Sequence, residues 1–221
     1  MAPNEWYHCY NRGVDKRVVF KTTADYERFL SLLYVCNGTS IIRIAERYDS
    51  SFSGILNDAD INRGEPLVDI AVYALIPNHV HFILKPKQEK GIALFMQKVF
   101  TGYTMYFNKK YGRTGSLFAG TFKSKHIADD RYLKRVVPYT LLNCADLFEK
   151  NWRQGEADTK KLEKKLLEYR FSSLPDFYGI ERIENKIMGE GIREFYPSAP
   201  PLSELLTEAR AFYREETVSQ G

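Results

Sequence analysis

The segment 68–84 places the strongest limit on the possible folds of this chain. Its first nine residues are mostly apolar and predict a buried strand, and the apolar residues from His79 onward predict a second strand after a tight turn at Pro77 and Asn78. Side chains alternate between the two faces of a strand, so His79 and His81 project in the same direction. Two imidazoles on one face suit a divalent metal whose remaining positions stay open for a substrate. The alternative interpretation is a pair of strand histidines satisfied by ordinary hydrogen bonds.

Composition restricts the class of protein further. With 221 residues and 44% hydrophobic content, the chain is long enough for one well-packed domain and an appendage. It contains no apolar stretch long enough to span a membrane, and its first residues lack the basic start and apolar core of a signal peptide. Cys9, Cys36 and Cys144 form no CxxC pair, which argues against a zinc ribbon or a disulfide framework and indicates a reducing, cytoplasmic location.

The net charge of +4 is unevenly distributed along the chain. Between Lys98 and Arg135, nine basic residues accompany two acidic ones and leave a local net charge of +7, whereas the segment from Asp146 to the end has a net charge of −3. Seven aromatic residues between Phe100 and Phe122 are interleaved with these cations. Clustered cations with aromatic neighbours suit a polyanion with stackable bases, so we expect nucleic acid as the partner. The alternative interpretation for any single one of these residues is a cation on a solvated helix face or an aromatic side chain of the hydrophobic core.

The order of the predicted elements indicates the fold class. The elements are, in order, a strand (5–12), a helix (22–36), two strands (68–76 and 79–84), a helix (91–110), a partly strand-like segment (118–127) and a helix (129–142). This order predicts an α+β fold, a ferredoxin-like antiparallel sheet with helices packed on one face. We expect residues 1–150 to form the main domain, with an insertion or long loop at 39–66, and residues 151–221 to form a mostly helical C-terminal extension.

The last helix of the expected main domain carries Tyr139 and Asn143, which are four residues apart and therefore share a helix face. A phenol can act as a covalent nucleophile, and a carboxamide oxygen can add a neutral ligand to a two-histidine metal site. With 15 tyrosines in the chain, a single helical tyrosine is more often a packing residue. The informative signal is its combination with His79, His81 and the basic segment.

Several motifs together resemble one family, the single-tyrosine HUH transposases, and most closely its REP-associated tyrosine transposase branch. The pair His79-Val80-His81 is followed about sixty residues later by Tyr139-x-x-x-Asn143. The resemblance covers roughly residues 6–180. The matching segments are Tyr7 to Gly13, Asp25 to Leu30, Tyr73 to Phe82, Phe107 to Phe118, Phe122 to Ser124 and Arg170 to Ser173.

The resemblance implies an activity and a nucleophile. The expected protein is a metal-dependent transposase that nicks and rejoins single-stranded DNA, with hairpin ends as its partner, and that works as a monomer or a homodimer. Tyr139 would attack a phosphodiester, form a 5′-phosphotyrosine and release a 3′-hydroxyl.

The resemblance also implies the residues that bind metal and DNA. His79, His81 and Asn143 would bind Mg²⁺ or Mn²⁺, which acts as a Lewis acid on the scissile phosphate. The residues expected to hold phosphates or a DNA hairpin are Arg113, Lys123 and Lys125.

Two positions depart from the family pattern. Cys144 stands where the family usually has a proline, and Pro138 directly precedes Tyr139. A proline inside a helix removes a hydrogen bond at a cost of roughly 3 kcal/mol, whereas a proline in the first turn of a new helix is tolerated. The sequence leaves both arrangements open, and Tyr132, about two turns earlier, is the alternative nucleophile.

Two other functions are compatible with these residues. A ferredoxin-like sheet with exposed aromatic side chains can bind single strands by stacking, without catalysis. A small phosphoesterase could use the paired histidines without a tyrosine, but no further histidine follows in Phe82-Ile83-Leu84.

Overall fold

Four strands form one antiparallel sheet in the order β2-β3-β1-β4. The computed structural model describes residues 1–155 and 158–218, the last three of them as backbone only. The strands are β1 (Trp6–Arg12), β2 (Val68–Ile76), β3 (His79–Pro86) and β4 (Lys123–Ile127). The α-helices among the described residues are α1 (Thr23–Cys36), α2 (Phe52–Asn57), α3 (Gly91–Tyr111), α4 (Asp130–Leu141), α5 (Thr159–Leu167), α6 (Leu174–Phe177) and α7 (Leu202–Val218). Short 3₁₀ helices cover Val14–Lys16, Ile44–Glu46, Asn143–Leu147, Trp152–Gln154, Ile183–Ile187 and Gly191–Glu194.

The chain order β1-α1-β2-β3-α3-β4, combined with this strand order, is ferredoxin-like. The predicted α+β class with an antiparallel sheet is confirmed. β2 and β3 form the predicted hairpin around Pro77 and Asn78. The segment 39–66 is mostly irregular and contains the short helix α2.

Helices α1 and α3 cover one face of the sheet. Alternate residues of β3, namely Val80, Phe82 and Leu84, lie in one hydrophobic core with Phe29 of α1 and Phe95 of α3. All five side chains are fully buried. Burial of side chains of this size stabilises the fold by about 1.5–3 kcal/mol each.

The opposite face of the sheet is also covered, which corrects the prediction that the helices pack on one face. Ile76 and Ile83 pack in a second hydrophobic core with Val137 of α4, Leu166 of α5 and Leu206 of α7. Every residue of β2 is buried, so both faces of this strand require an apolar partner. The helix that carries Tyr139 therefore lies on the opposite side of the sheet from α1 and α3.

The three cysteines are buried free thiols. Burial raises the pKa of Cys36 to about 11 and that of Cys144 to about 12, so these thiols are poor nucleophiles at neutral pH. Among the described residues, no helix combines the length and apolar character needed to cross a membrane.

Candidate active site

The sheet brings two pairs of aromatic side chains together beneath α4. His8 and Tyr10 lie on β1, and His79 and His81 lie on the neighbouring strand β3, where Tyr10 is paired with His81. The four side chains point away from the α1–α3 core because their neighbours Cys9, Val80 and Phe82 belong to it. They line a cleft of about 580 Å³. The other residues that line the cleft are Asn11, Arg12, Ala119, Lys123, Lys125, Tyr139, Asn143, Asp146, Arg153, Phe212 and Tyr213.

His79 has a polar neighbour at each of its ring nitrogens. Its Nδ1 lies 2.6 Å from Oδ1 of the adjacent Asn78, and its Nε2 lies 2.8 Å from Oδ1 of Asn143. Asn143 comes from a distant part of the chain, so the structure brings together two of the three metal ligands that the sequence predicted. The amide of Asn143 also donates from Nδ2 to the hydroxyl of Tyr213, at 2.9 Å.

His81 contacts a histidine that the sequence did not indicate as a site residue. Its Nδ1 lies 2.9 Å from Nε2 of His8, and the two rings are stacked with centroids 5.2 Å apart. Both side chains are buried. The ring of Tyr10 is stacked on His81 as well, with a centroid distance of 5.6 Å.

Tyr139 faces this histidine pair. Its ring lies edge-on to the rings of His8 and His81, with both centroid distances 5.8 Å, and packs against Phe212 and Tyr213 of α7, with both distances 4.7 Å. The predicted nucleophile is therefore in the cleft with the predicted ligands.

Tyr132, the alternative nucleophile, does not line the cleft. Its ring lies beneath Nζ of Lys125, 4.9 Å from the ring centroid, and its buried hydroxyl has no hydrogen-bond partner among the described residues.

Helix α4 continues through Pro138 instead of starting there. Asp129 caps the helix by accepting a hydrogen bond from the backbone N–H of Tyr132. Pro138 cannot donate to the carbonyl of Lys134, and the hydroxyl of Tyr196 donates to that carbonyl instead, at 3.2 Å. Pro138 thus lies inside the helix, and the carbonyl of Lys134, which it leaves without a backbone donor, is hydrogen-bonded by Tyr196.

The end of α4 differs from the prediction. The helix ends at Leu141, and Asn143 is the first residue of the following 3₁₀ helix. Asn143 and Tyr139 are therefore not on one α-helical face, although both line the cleft. Cys144 is fully buried. It stands at the position where the family that the sequence resembles usually has proline.

Burial keeps the histidines of the cleft in their neutral form. It lowers the pKa of His8 to about 4, with a further contribution from the Lys125 cation. It also lowers the pKa of His79, although the amide oxygen of Asn143 favours the protonated ring, and it lowers the pKa of His81 well below the usual value. Neutral imidazole is the form that binds metal ions.

The predicted DNA-binding residues lie in two places. Lys123 and Lys125 of β4 line the cleft, whereas Arg113 lies beyond the C-terminus of α3, where it donates to Oδ1 of Asn108 at 2.7 Å. Two further cations in the lining were not singled out by the sequence: Arg12, at the end of β1, and Arg153, which pairs with Asp146 and lies over the ring of Tyr213.

The contacts of His79 allow a test of whether a cation fits the site. An amide oxygen only accepts, so the Oδ1 of Asn78 requires the proton of neutral His79 to be on Nδ1. The lone pair of Nε2 then faces Oδ1 of Asn143, a second acceptor, at 2.8 Å. Two acceptor atoms this close repel each other unless a cation lies between them. Adjacent ligands of an octahedral ion, each about 2.1 Å from the metal, are about 3 Å apart, which is close to the distance between these two atoms. The donor set therefore fits a divalent cation.

This donor set differs from an ordinary histidine, cysteine and carboxylate site. Within residues 1–155 and 158–215, whose side chains the structure describes, no three side chains of those types are grouped so as to hold a metal ion. The fit to a metal consequently depends on the amide oxygen of Asn143 in addition to His79 and His81.

Sequence reasoning missed His8 and the two aromatic residues of α7. The alternation of β1 placed His8 on the same face as Tyr10, which was a usable signal, but the pairing of β1 with β3 was needed to place it beside His81. Phe212 and Tyr213 are more than seventy residues from Tyr139, and no local pattern connects them to it.

The structure of this chain was compared with solved structures, and its sequence with known proteins and protein families. A solved structure of a REP-associated tyrosine transposase bound to a REP hairpin is similar to this chain, with 12% sequence identity, a TM-score of 0.46, and coverage of 83% of this chain and 86% of that chain. The sequence matches no protein-family model and no curated protein. Because the identity is this low, the function has to be inferred from the side chains of the cleft.

Proposed function

We propose that this chain is a transposase-like enzyme that nicks and rejoins single-stranded DNA at hairpin ends with the help of a divalent metal. The observation that carries this proposal is the convergence of Tyr139, His79, His81 and Asn143 in one cleft. These four residues are the ones to which the sequence resemblance assigns the nucleophile and the metal ligands. Basic residues in the same lining fit a phosphodiester substrate.

Tyr139 would act as the nucleophile. Its phenol oxygen forms a bond to phosphorus while the bond from phosphorus to the 3′ oxygen breaks. The phenol loses its proton and the leaving oxygen gains one, so the products are a 5′-phosphotyrosine and a free 3′-hydroxyl. The covalent link retains the bond energy, and rejoining to another 3′-hydroxyl needs no ATP.

The remaining side chains would hold the substrate and the metal. His79, His81 and Asn143 would bind Mg²⁺ or Mn²⁺, which when bound supplies a Lewis acid for the scissile phosphate. Lys123 and Lys125 would offset the charge of the DNA backbone near Tyr139.

A cleavage assay on labelled single-stranded hairpin oligonucleotides, taken from the DNA that flanks the gene, tests the proposal. With Mn²⁺ or Mg²⁺ present, wild type should form a covalent protein–DNA adduct, and Tyr139→Phe should reduce the adduct to background because the nucleophilic oxygen is gone. Tyr132→Phe is the matched control and should leave the adduct near the wild-type level, since Tyr132 does not line the cleft. An adduct that survives Tyr139→Phe would refute the assignment of the nucleophile.

A non-catalytic single-strand-binding protein of the same fold is the second candidate. It is favoured by the aromatic lining of the cleft, in which Tyr10, Tyr139, Phe212 and Tyr213 offer rings for base stacking. This candidate predicts metal-independent binding of the oligonucleotides without any adduct, and Tyr139→Phe should then weaken binding only slightly.

A further inference from the structure

Each of the three candidate metal ligands has a second polar atom, and a neighbouring side chain contacts that atom in every case. The three contacts join Nδ1 of His79 to Oδ1 of Asn78 at 2.6 Å, Nδ1 of His81 to Nε2 of His8 at 2.9 Å, and Nδ2 of Asn143 to the hydroxyl of Tyr213 at 2.9 Å. We call these three the orienting contacts. They leave Nε2 of each histidine and Oδ1 of the amide as the atoms available to a cation.

The orienting contact of His79 has a defined direction. Nδ2 of Asn78 donates to the backbone carbonyl of Lys16 at 3.3 Å, which fixes the orientation of this amide and leaves Oδ1 toward His79. Nδ1 of His79 must therefore donate, and Nε2 keeps its lone pair.

The orienting contact of His81 allows two arrangements. If His8 donates from Nε2, neutral His81 carries its proton on Nε2 and cannot bind a metal through that atom. If His81 donates from Nδ1 to His8, its Nε2 keeps a lone pair. A metal-binding His81 therefore requires His8 to be the acceptor, with its own proton on Nδ1.

The orienting contact of Asn143 comes from the C-terminal helix α7. The hydroxyl of Tyr213 accepts from Nδ2, which turns Oδ1 toward Nε2 of His79. Arg153 lies over the ring of Tyr213, 3.8 Å from its centroid, and Tyr213 also packs on Trp152. The hydroxyl that holds the amide is thus itself held in place.

We propose that His8 and Tyr213 are positioning residues of the metal site: His8 selects the tautomer of His81, and Tyr213 selects the orientation of the Asn143 amide. This inference rests on the proposed metal-dependent function and adds to it two residues, one from each end of the chain. Outer contacts of this kind typically change metal affinity by 10–100-fold when they are removed.

Mn²⁺ binding to the full-length protein, measured by electron paramagnetic resonance and calorimetry without DNA, tests the inference. Tyr213→Phe keeps the ring and removes only the hydroxyl, and His8→Leu removes the acceptor; each should weaken Mn²⁺ binding by about 10–100-fold. His8→Gln should restore affinity close to wild type, because an amide oxygen at the end of that side chain can accept from His81. Tyr178→Phe is the matched control, since it removes a hydroxyl that donates to Pro200 and lies outside the cleft.

Nitrogen-15 spectra of the metal-free wild type provide a second measurement that needs no variant. The expected result is a neutral His81 with its proton on Nδ1. A proton on Nε2 of His81, or equal Mn²⁺ affinity in wild type, folded His8→Leu and Tyr213→Phe, overturns the positioning roles alone. A wild type that does not bind Mn²⁺ instead overturns the metal assignment of the proposed function, and the positioning roles with it.

Discussion

The side chain of Asp25 both caps a helix and connects two helices. It forms a capping box with Thr22 at the start of α1. Its carboxylate, which is fully buried, also accepts from Nζ of Lys110 at 2.6 Å and from the hydroxyl of Tyr111 at 2.7 Å. These hydrogen bonds outweigh the effect of burial and lower the pKa of Asp25. The residue therefore ties the start of α1 to the end of α3.

Asp25→Asn should destabilise the protein by about 1.5–3 kcal/mol at neutral pH, because the buried carboxylate no longer forms its charge-assisted hydrogen bond with Lys110. The lowered pKa means that the unfolded chain binds a proton more readily than the folded chain. The contribution of Asp25 is thus complete above the unfolded pKa of about 3.8 and is lost as the pH falls through the lower folded pKa. Urea unfolding at a series of pH values should show a weaker acid dependence in the variant than in wild type.

The control for this prediction is Asp15→Asn. Asp15 is an exposed carboxylate whose contact with Arg17 is 3.7 Å, and its loss should cost less than about 1 kcal/mol. Equal free energies of unfolding for wild type and Asp25→Asn would show that the hydrogen bonds of the Asp25 carboxylate have no net stabilising effect.

At the level of the element, α4 determines how the candidate nucleophile meets the sheet. Asp129 starts the helix, and Leu133, Val136, Val137 and Leu141 direct it onto the sheet. Because the helix continues through Pro138, the next residue, Tyr139, lies over the histidines. Pro138 has no N–H to donate to the carbonyl of Lys134, and the hydroxyl of Tyr196 donates to that carbonyl in its place.

A double-mutant cycle with Tyr196→Phe and Pro138→Ala tests this compensation. Tyr196→Phe should cost about 0.5–1.5 kcal/mol in the wild-type background, since the carbonyl of Lys134 loses its donor. In the Pro138→Ala background the restored backbone N–H can donate to the same carbonyl, so Tyr196→Phe should cost less. Denaturant unfolding of the four proteins gives the coupling energy, and a coupling of zero would contradict the exchange of partners.

At the scale of the whole molecule, the described residues form a hydrophobic core on each face of the sheet. The core beneath α4 includes Trp152, Leu166 and Leu206, which lie beyond the predicted boundary near residue 150. Tyr213 from the same region contacts Asn143 in the cleft. The separation into a domain at 1–150 and an extension at 151–221 remains a prediction, but the second core is shared across that boundary.

Removal of residues 151–221 should abolish cooperative folding, because it exposes the apolar face of β2 and α4. Circular dichroism melting of the 1–150 fragment should show no sharp transition. A cooperative melt close to the full-length midpoint would show instead that residues 1–150 are an independent domain.

Point variants provide the matched comparison. Leu206→Ala should destabilise the full chain by about 2–5 kcal/mol, because Leu206 is fully buried in the second core. Ile180→Ala changes a residue that is 43% exposed and should cost far less.

The sequence by itself determined the elements of this protein and part of its site. The mostly apolar segment 68–76 gave the bounds of β2, and strand periodicity placed His79 and His81 on one face. Both of these signals are local, since they depend on residues within a few positions of one another. The motif spacing then indicated Tyr139 and Asn143 through the family resemblance.

Only the tertiary structure decided what surrounds these residues. The register between β1 and β3 brought His8 to His81, and the packing of α7 on α4 brought Tyr213 to Asn143. The position of α4 on the face opposite α1 and α3 followed from the need to cover β2 on both sides. Contacts between residues more than seventy positions apart depend on how whole elements pack, and no local pattern in the sequence specifies that packing.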